Sequence, residues 1–250
     1  MSKTYSPESI TFRLVLQNII ELAPGVRQFF FDPLDFAELD FQPGQFIQLS
    51  FNNHGERFRR SYSIATRCGE TTAIEIVVSS VLDGRVSGVL FGTKVGDVVE
   101  VSGPYGNHIL INEPPARLFM VATGTGVIPY RSMLPELLRR ANLGWPTSKV
   151  ILGVRSRTQA IFADEFNAAA TRSESFQFTC CYSDDEPINL QSWERGGHVQ
   201  SVLEDEDLDP LSDIIYLCGN PSMVDDLEYK LTSSGFAQAR VRRERFIAGA

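Results

Sequence analysis

The sequence predicts a two-domain α+β protein: an N-terminal antiparallel β-barrel over residues 1–113, then an α/β domain with a parallel sheet over residues 114–250. The first observation is length, since 250 residues exceed a small stapled scaffold and suit one large or two ordinary domains. The second is texture. Up to about Asn112 the chain runs as short β-type stretches parted by Pro-Gly, Asn-Asn, Asp-Gly and Gly-Pro turns, the pattern of an antiparallel barrel. The third is the break at Glu113-Pro114-Pro115, beyond which strands alternate with helices. That alternation implies parallel strands with helices on both faces.

Taken in order, the barrel strands are Phe46 to Phe51, Ser61 to Ala65, Ile74 to Ser80 and Asp97 to Ser102. After the prolines, Arg117 to Ala122 reads as a strand, Tyr130 to Ala141 as a helix, Lys149 to Val154 as a strand and Ala163 to Ala170 as a helix. Phe176 to Cys181 and Ile214 to Cys218 read as strands, and Ser222 to Ser233 as a helix. In such a sheet ligands sit at the carboxyl ends of the strands, so the loops after the strands are the places to look. The acidic run Glu204 to Asp209 reads as a solvated face or turn.

Composition narrows the function classes. Lys and Arg total 23 against 31 Asp and Glu, a formal net charge of -8, which argues against a nucleic-acid or anionic-membrane binder but leaves room for a local basic patch. Charge does not divide the chain: 9 basic and 13 acidic residues precede position 114 and 14 and 18 follow, so each part carries -4. Hydrophobic content of 43% with 22% charged residues is ordinary for a globular protein. No stretch approaches the roughly 18 apolar residues of a membrane span. The polar start MSKTYSPES lacks the layout of a signal peptide, so a soluble cytoplasmic protein is expected. Cys68, Cys180, Cys181 and Cys218 contain no CxxC and no plant-type iron-sulfur spacing, so no cluster and no metal site is expected. The first three should be buried or inert.

Four motifs carry the chemistry. In Arg60-Ser61-Tyr62-Ser63 a guanidinium can fork onto a phosphate, a ring can stack on a planar heterocycle, and a hydroxyl can hydrogen-bond a ring nitrogen. Together they suit a flavin, or they are a plain β-strand. Asp83-Gly84-Arg85-Val86-Ser87-Gly88 leads into a short helix whose first N–H groups suit a pyrophosphate, or Ser87 is only an N-cap. Thr123-Gly124-Thr125-Gly126-Val127-Ile128-Pro129 is a Gly-rich turn between an apolar strand and a helix, again suited to phosphate or simply generic. Cys218-Gly219-Asn220-Pro221 ends another strand, with its thiol either in the ligand crevice or buried.

In this order and spacing, with Gly103-Pro104-Tyr105-Gly106 between them, the motifs resemble the ferredoxin-NADP reductase family over nearly the whole length. The resemblance implies an FAD-binding barrel, a Rossmann-like NAD(P)-binding domain, and a reductase that takes hydride from NADH or NADPH. It assigns Arg60 to the FAD pyrophosphate, Tyr62 to stacking on the isoalloxazine, Ser63 to a hydrogen bond near the flavin's reactive nitrogen, and Ser61 to the cofactor-binding set. Val77, Val78 and Ser79 would line the ribityl and adenine side, and Arg85, Val86 and Ser87 would take the pyrophosphate. Thr123, Gly124, Thr125, Gly126 and Val127 would hold the nicotinamide nucleotide's pyrophosphate, with Cys218 beside the nicotinamide. Glu244-Arg245-Phe246 matches the family's terminal acid and aromatic, Phe246 covering the flavin face and Glu244 lying near the hydride path, although Ile247 to Ala250 continue past the ring. Ser63, Cys218 and Glu244 form the catalytic set, and His54, His108 and His198 need no direct role.

Arg155 and Arg157 could meet a 2'-phosphate, yet Asp184 and Asp185 stand where NADP-using relatives place Ser/Thr-Arg. Trp193 followed by Gly196-Gly197-His198-Val199 also resembles NADH-using oxygenase reductases, so NADH is favoured and NADPH retained. The acceptor expected is a small redox protein, a ferredoxin, a flavodoxin or an oxygenase component, guided by Arg57, Arg59 and Arg67 and by Arg240, Arg242, Arg243 and Arg245. Two domains use nearly all the length, which leaves no room for an appended iron-sulfur domain. The alternatives are a reductase of free flavin, a subunit of a larger dehydrogenase, and a non-catalytic flavin-binding module.

Overall fold

A computed structural model describes residues 10–53, 56–80, 85–185 and 188–246, with the side chains at 52–53, 56–57, 85–87 and 185 outside the description. Its first half is built on β1 (Ile10–Ala23) and β2 (Val26–Pro33), an antiparallel pair. Along β1 the apolar residues Phe12, Leu14 and Leu16 alternate inward, as a half-buried strand requires. There follow β3 (Phe46–Asn53), β4 (Glu56–Ser63), β5 (Ile74–Ser79), helix α1 (Arg85–Gly92) and β6 (Val98–Tyr105). The six strands lie in the order β4-β3-β6-β1-β2-β5, every pair antiparallel. An antiparallel bridge between Ile64 and Ile76 joins the two edges, which closes the sheet into a barrel. Phe29, Phe31, Ile47 and Leu49 fill it, with Leu90 of α1 buried in the same core.

The second half begins with β7 (Leu118–Thr123), a 3-10 turn at Gly124–Val127, α2 (Ile128–Asn142), β8 (Ser148–Ser156) and α3 (Ala163–Ala170). It continues through β9 (Phe176–Asp185), β10 (Glu194–Gly196), α4 (Val199–Glu204), β11 (Ile214–Gly219), α5 (Pro221–Ser233) and β12 (Val241–Arg245). These strands form one parallel sheet in the order β10-β9-β8-β7-β11-β12. Met120, Leu134 and Phe166 pack on the face covered by α2 and α3, whereas Val121, Val202 and Leu227 pack on the face covered by α4 and α5. From β7 the chain runs outward to β8 on one side, while β11 flanks it on the other. The order therefore reverses between β7 and β11, and a crevice opens at their carboxyl ends.

Several elements differ from the sequence reading. Six barrel strands exist where four are predicted, and β1 and β2 are the additions. Register shifts at Leu16/Asn18 and Glu21/Ala23 interrupt the two-residue period that would have announced β1. Arg60 to Ser63 closes β4 rather than opening a strand, because pairing with β3 runs back to Glu56. Short β10 and α4 lack a full period. β12 reads Val-Arg-Arg-Glu-Arg, a polar string that is a strand because it forms a sheet edge open on one side. No helix among the described residues is long and apolar enough to cross a membrane.

Candidate active site

Ser63, Thr123, Gly126, Cys218, Glu244 and Phe246 gather where the rim of the barrel meets the carboxyl ends of β7, β11 and β12. Ser63, buried at the end of β4, donates through Oγ to Glu244 Oε1 at 3.4 Å. Burial raises the Glu244 carboxyl to about 7, and the Ser63 hydroxyl lowers it only in part. Among the described residues no counter-charge faces this acid at the junction of two sheets. In β11 and β12 Cys218 stands opposite Glu244, and in β11 and β7 it stands opposite Ala122. Cys218 is 0% exposed, and burial followed by the neighbouring Glu244 keeps its thiol protonated, well above the ordinary thiol range. Phe246 is half-buried, donates its N–H to Gly219 O at 2.8 Å, and packs against the core under the sheet.

The other barrel residues flank Ser63. Tyr62 packs against the barrel core, and burial lifts its phenol to about 12 despite the nearby Arg60. Arg60 is half-buried and donates to the neighbouring Arg59 O at 3.0 Å, while Ser61 accepts from Gln48 at 3.3 Å. On β5 the side chains alternate: Val78 enters the barrel core, Val77 packs toward the parallel sheet, and Ser79 is half-buried. Arg85, Val86 and Ser87 begin α1, and their side chains lie outside the described residues, as do Asp83 and Gly84.

Beside them two strand-end turns touch through their backbones. A Cβ on Gly126 would lie 2.3 Å from Cys218 O, and one on Gly219 would lie 2.5 Å from Thr123 Oγ1. Thr123 Oγ1 accepts from Asn220 N–H at 2.9 Å, and Asn220 caps α5 by accepting from Ser222 N–H at 2.8 Å. Gly124, at φ +53°, faces open space and Thr125 is half-buried, whereas Gly126 and Val127 are buried. The crevice wall is thus backbone at a helix start, where a phosphate can approach N–H groups without meeting side chains. This cradle, with the Glu244 carboxyl opposite, fits a nicotinamide nucleotide on the sheet and a flavin on the barrel rim.

Arg155 and Arg157 have other partners than a phosphate. Arg155 is 78% exposed at its side chain and lies 3.7 Å from Asp184 Oδ2. Arg157 is bound to the buried Glu194, which also accepts from the Tyr182 hydroxyl at 2.6 Å and from Gln191 N–H at 2.8 Å. Burial pushes the Glu194 carboxyl up, but these donors outweigh it and hold it at about 2. The arginine rim is likewise largely engaged. Arg67 pairs with Glu70, Arg243 with Glu228 and Arg245 with Asp225, and Arg242 donates to Ile109 O. Arg59 is exposed, and the Arg57 side chain lies outside the description. Cys180 and Cys181 are buried as expected, while Cys68 is only half-buried. His108 is buried between Tyr130 and Tyr216, and burial followed by nearby Arg242 lowers it to about 4. Among the described residues no group of His, Cys, Asp and Glu could hold a metal ion.

One contact is absent from the sequence reading. Arg131 of α2 donates to the buried Glu75 of β5, and the only hint was a charge standing inside each of two apolar runs.

Residues 13–109 match an oxidoreductase FAD-binding domain and residues 120–228 an oxidoreductase NAD-binding domain. Barrel, parallel sheet and shared rim define a two-domain oxidoreductase that uses FAD and a nicotinamide nucleotide. The chain is 31% identical over 193 residues to ferredoxin-NADP reductase B of Sorangium cellulosum, covering 76% of each. It belongs to the ferredoxin-NADP reductase family. It is also 25% identical over 240 residues to the toluate 1,2-dioxygenase electron transfer component of Pseudomonas putida, covering 96% of this chain and 68% of that one. With the 2-halobenzoate 1,2-dioxygenase electron transfer component of Burkholderia cepacia it shares 27% over 211 residues, spanning 60% of that relative. Solved structures agree on the fold. A ferredoxin NADP+ reductase of Neisseria gonorrhoeae, with bound FAD and NADP, superposes at TM-score 0.79 with 22% identity, covering 96% of this chain and 99% of that one. An Amycolatopsis cytochrome P450 reductase does so at 0.83 with 22% identity, covering 97% and 71%.

Proposed function

We propose that this chain is a reductase that accepts hydride from NADH onto FAD held at the barrel rim and delivers electrons to a separate redox protein. That acceptor is an oxygenase component, a ferredoxin or a flavodoxin. The observation that carries the reading is the Ser63–Glu244 contact, which joins the flavin motif of the barrel to the terminal acid of the nicotinamide domain. The flavin, when bound, supplies the redox chemistry by accepting a hydride and releasing electrons. The protein's own residues bind, orient and exclude water. Arg60 and the start of α1 at Arg85 to Ser87 bind phosphate, while Ser61, Tyr62, Val77, Val78 and Ser79 seat the flavin.

Thr123 to Val127 offer backbone N–H groups to the coenzyme phosphates, and Cys218 backs the nicotinamide position as a neutral thiol. Glu244 holds or releases a proton at its carboxyl near neutral pH, and Phe246 covers the flavin position. We place the domain boundary at residue 113, between β6 and β7. NADH is favoured because Asp184 presents a carboxylate beside Arg155, repelling a 2'-phosphate and suiting a ribose diol. The names of the oxygenase-linked relatives support a redox-protein acceptor.

The test is to purify the protein, measure its FAD content, and mix it anaerobically with NADH and NADPH in parallel. Near-stoichiometric FAD that NADH bleaches at least as fast as NADPH supports the reading, and bleaching by NADPH far faster than by NADH overturns the coenzyme choice. Colourless protein that reduces only added flavin replaces it with a free-flavin reductase, and bound FAD that neither coenzyme reduces replaces it with a non-catalytic module.

A further inference from the structure

We infer that Arg131 is a positioning residue: its guanidinium clamps the barrel to the parallel sheet behind the cofactor-facing loops and so fixes the spacing between the flavin and nicotinamide positions. The inference rests on the hydride-transfer reading above. Arg131 and Glu75 are each only 7% exposed. From α2, Arg131 Nη1 donates to Glu75 Oε2 at 2.6 Å and to Ala65 O at 2.7 Å, both across the domain junction. Its Nε and Nη2 donate to Glu165 of α3 at 3.0 and 3.3 Å, within its own domain. Its Cζ lies over the Phe162 ring, 4.3 Å from the centroid, and Phe162 itself adopts a left-handed backbone at φ +59°. The guanidinium is therefore held on every side.

On the barrel its grip falls at the closing seam. Glu75 Oε2 also accepts from Gln28 at 2.6 Å, Ala65 N–H donates to Glu75 O at 2.7 Å, and Glu75 N–H donates to Thr66 Oγ1 at 2.8 Å. Three of the cofactor-facing segments run directly into this clamp. Ser63 is two residues before Ala65, Val77 is two after Glu75, and Val127 is four before Arg131. A buried guanidinium shared by two carboxylates adds little net stability, because desolvation offsets attraction, but its fork fixes direction and distance. Hydride transfer is sensitive to such placement, since a shift of about 1 Å can cost about 100-fold in rate.

The two carboxylates make the test internal. Glu75→Gln and Arg131→Lys weaken the buried bond across the junction, whereas Glu165→Gln weakens a bond of the same guanidinium inside one domain and, across the junction, loses only the loose, half-exposed 4.0 Å pair of Glu165 with Arg67, worth about 0–1 kcal/mol. In the FAD-loaded full chain, single-turnover reduction at saturating NADH should slow about 10- to 100-fold in the first two variants, with coenzyme affinity held within about 3-fold. Glu165→Gln should keep its rate within about 3-fold of the unmutated protein. Amide hydrogen exchange should quicken in Glu75→Gln at peptides containing Ala65 and Arg131 and remain unchanged in the α5 region. Equal slowing by Glu165→Gln, or an unchanged rate or unchanged exchange in Glu75→Gln, overturns the clamp. Should Arg131→Lys not fold, Glu75→Gln decides alone. If neither coenzyme reduces the unmutated protein, the functional reading fails instead, and exchange by itself judges the clamp.

Discussion

Ser63 Oγ and Glu244 Oε1 lie 3.4 Å apart although 181 residues separate them, so the end of a barrel strand and the end of the last parallel strand share one hydrogen bond. The hydroxyl is the group that partly offsets the rise in the Glu244 pKa.

That rise has a pH signature. The carboxyl's ordinary value is 4.5 and its folded value about 7, so between them the native state keeps a proton that the unfolded chain has released. Stability should therefore fall as pH rises from about 4.5 to 7 and level off beyond. We predict that Glu244→Gln flattens this slope in urea unfolding measured at pH 5, 6 and 7. Ser63→Ala, which removes the offsetting donor, should shift the end of the slope to higher pH. An unchanged slope in Glu244→Gln would refute the assignment.

The two glycines of the strand-end turn should differ sharply. Gly124→Ala meets open space and carries only the cost of a left-handed backbone, about 1–2 kcal/mol. Gly126→Ala drives a methyl group into the Cys218 carbonyl, a backbone obstacle that cannot rotate aside. Its cost should reach or exceed the upper end of the about 1–3 kcal/mol typical of overpacking. Urea midpoints of the two variants check the order, and equal midpoints would contradict it.

Thiol reactivity should rank by burial. Burial, then nearby Glu38, Glu136 and Asp40, raises the Cys68 thiol as well, but Cys68 is half-buried, whereas Cys180, Cys181 and Cys218 are buried with thiols pushed upward by burial. Iodoacetamide at pH 8 should label Cys68 at least about 10-fold faster than the other three in the native protein, since only an accessible thiolate reacts. Peptide mass spectrometry reads the order. Early labelling of Cys218 would place its sulfur in an open crevice instead.

Coenzyme preference should move without loss of stability. Arg155 and Asp184 form an exposed pair at 3.7 Å, and such pairs contribute about 0–1 kcal/mol. Asp184→Asn should raise the ratio of kcat/KM for NADPH over NADH by about 10-fold, worth about 1.4 kcal/mol, while leaving the melting temperature nearly fixed. A ratio that does not change would show that Asp184 does not face the coenzyme.

The order of motifs made the family legible from the sequence, because Arg60 to Ser63, Gly124 to Pro129 and Cys218 to Pro221 each need a local backbone shape that local residues encode. Most strands of the parallel sheet were legible for the same reason, their apolar runs being bounded by turn residues. β12 was not, since an edge strand tolerates the polar string Val241–Arg245 that would otherwise read as a loop. Nor could sequence reveal that Arg157 is committed to Glu194, that Arg243 and Arg245 are paired with α5, or that Arg131 reaches Glu75. An arginine looks the same in sequence whether it is free for a phosphate or spent on a carboxylate. Sequence by itself determined the two sheets and their cofactor classes. Only the tertiary structure decided which charges remain available and how the halves are held together, because those depend on distances between groups remote in the chain.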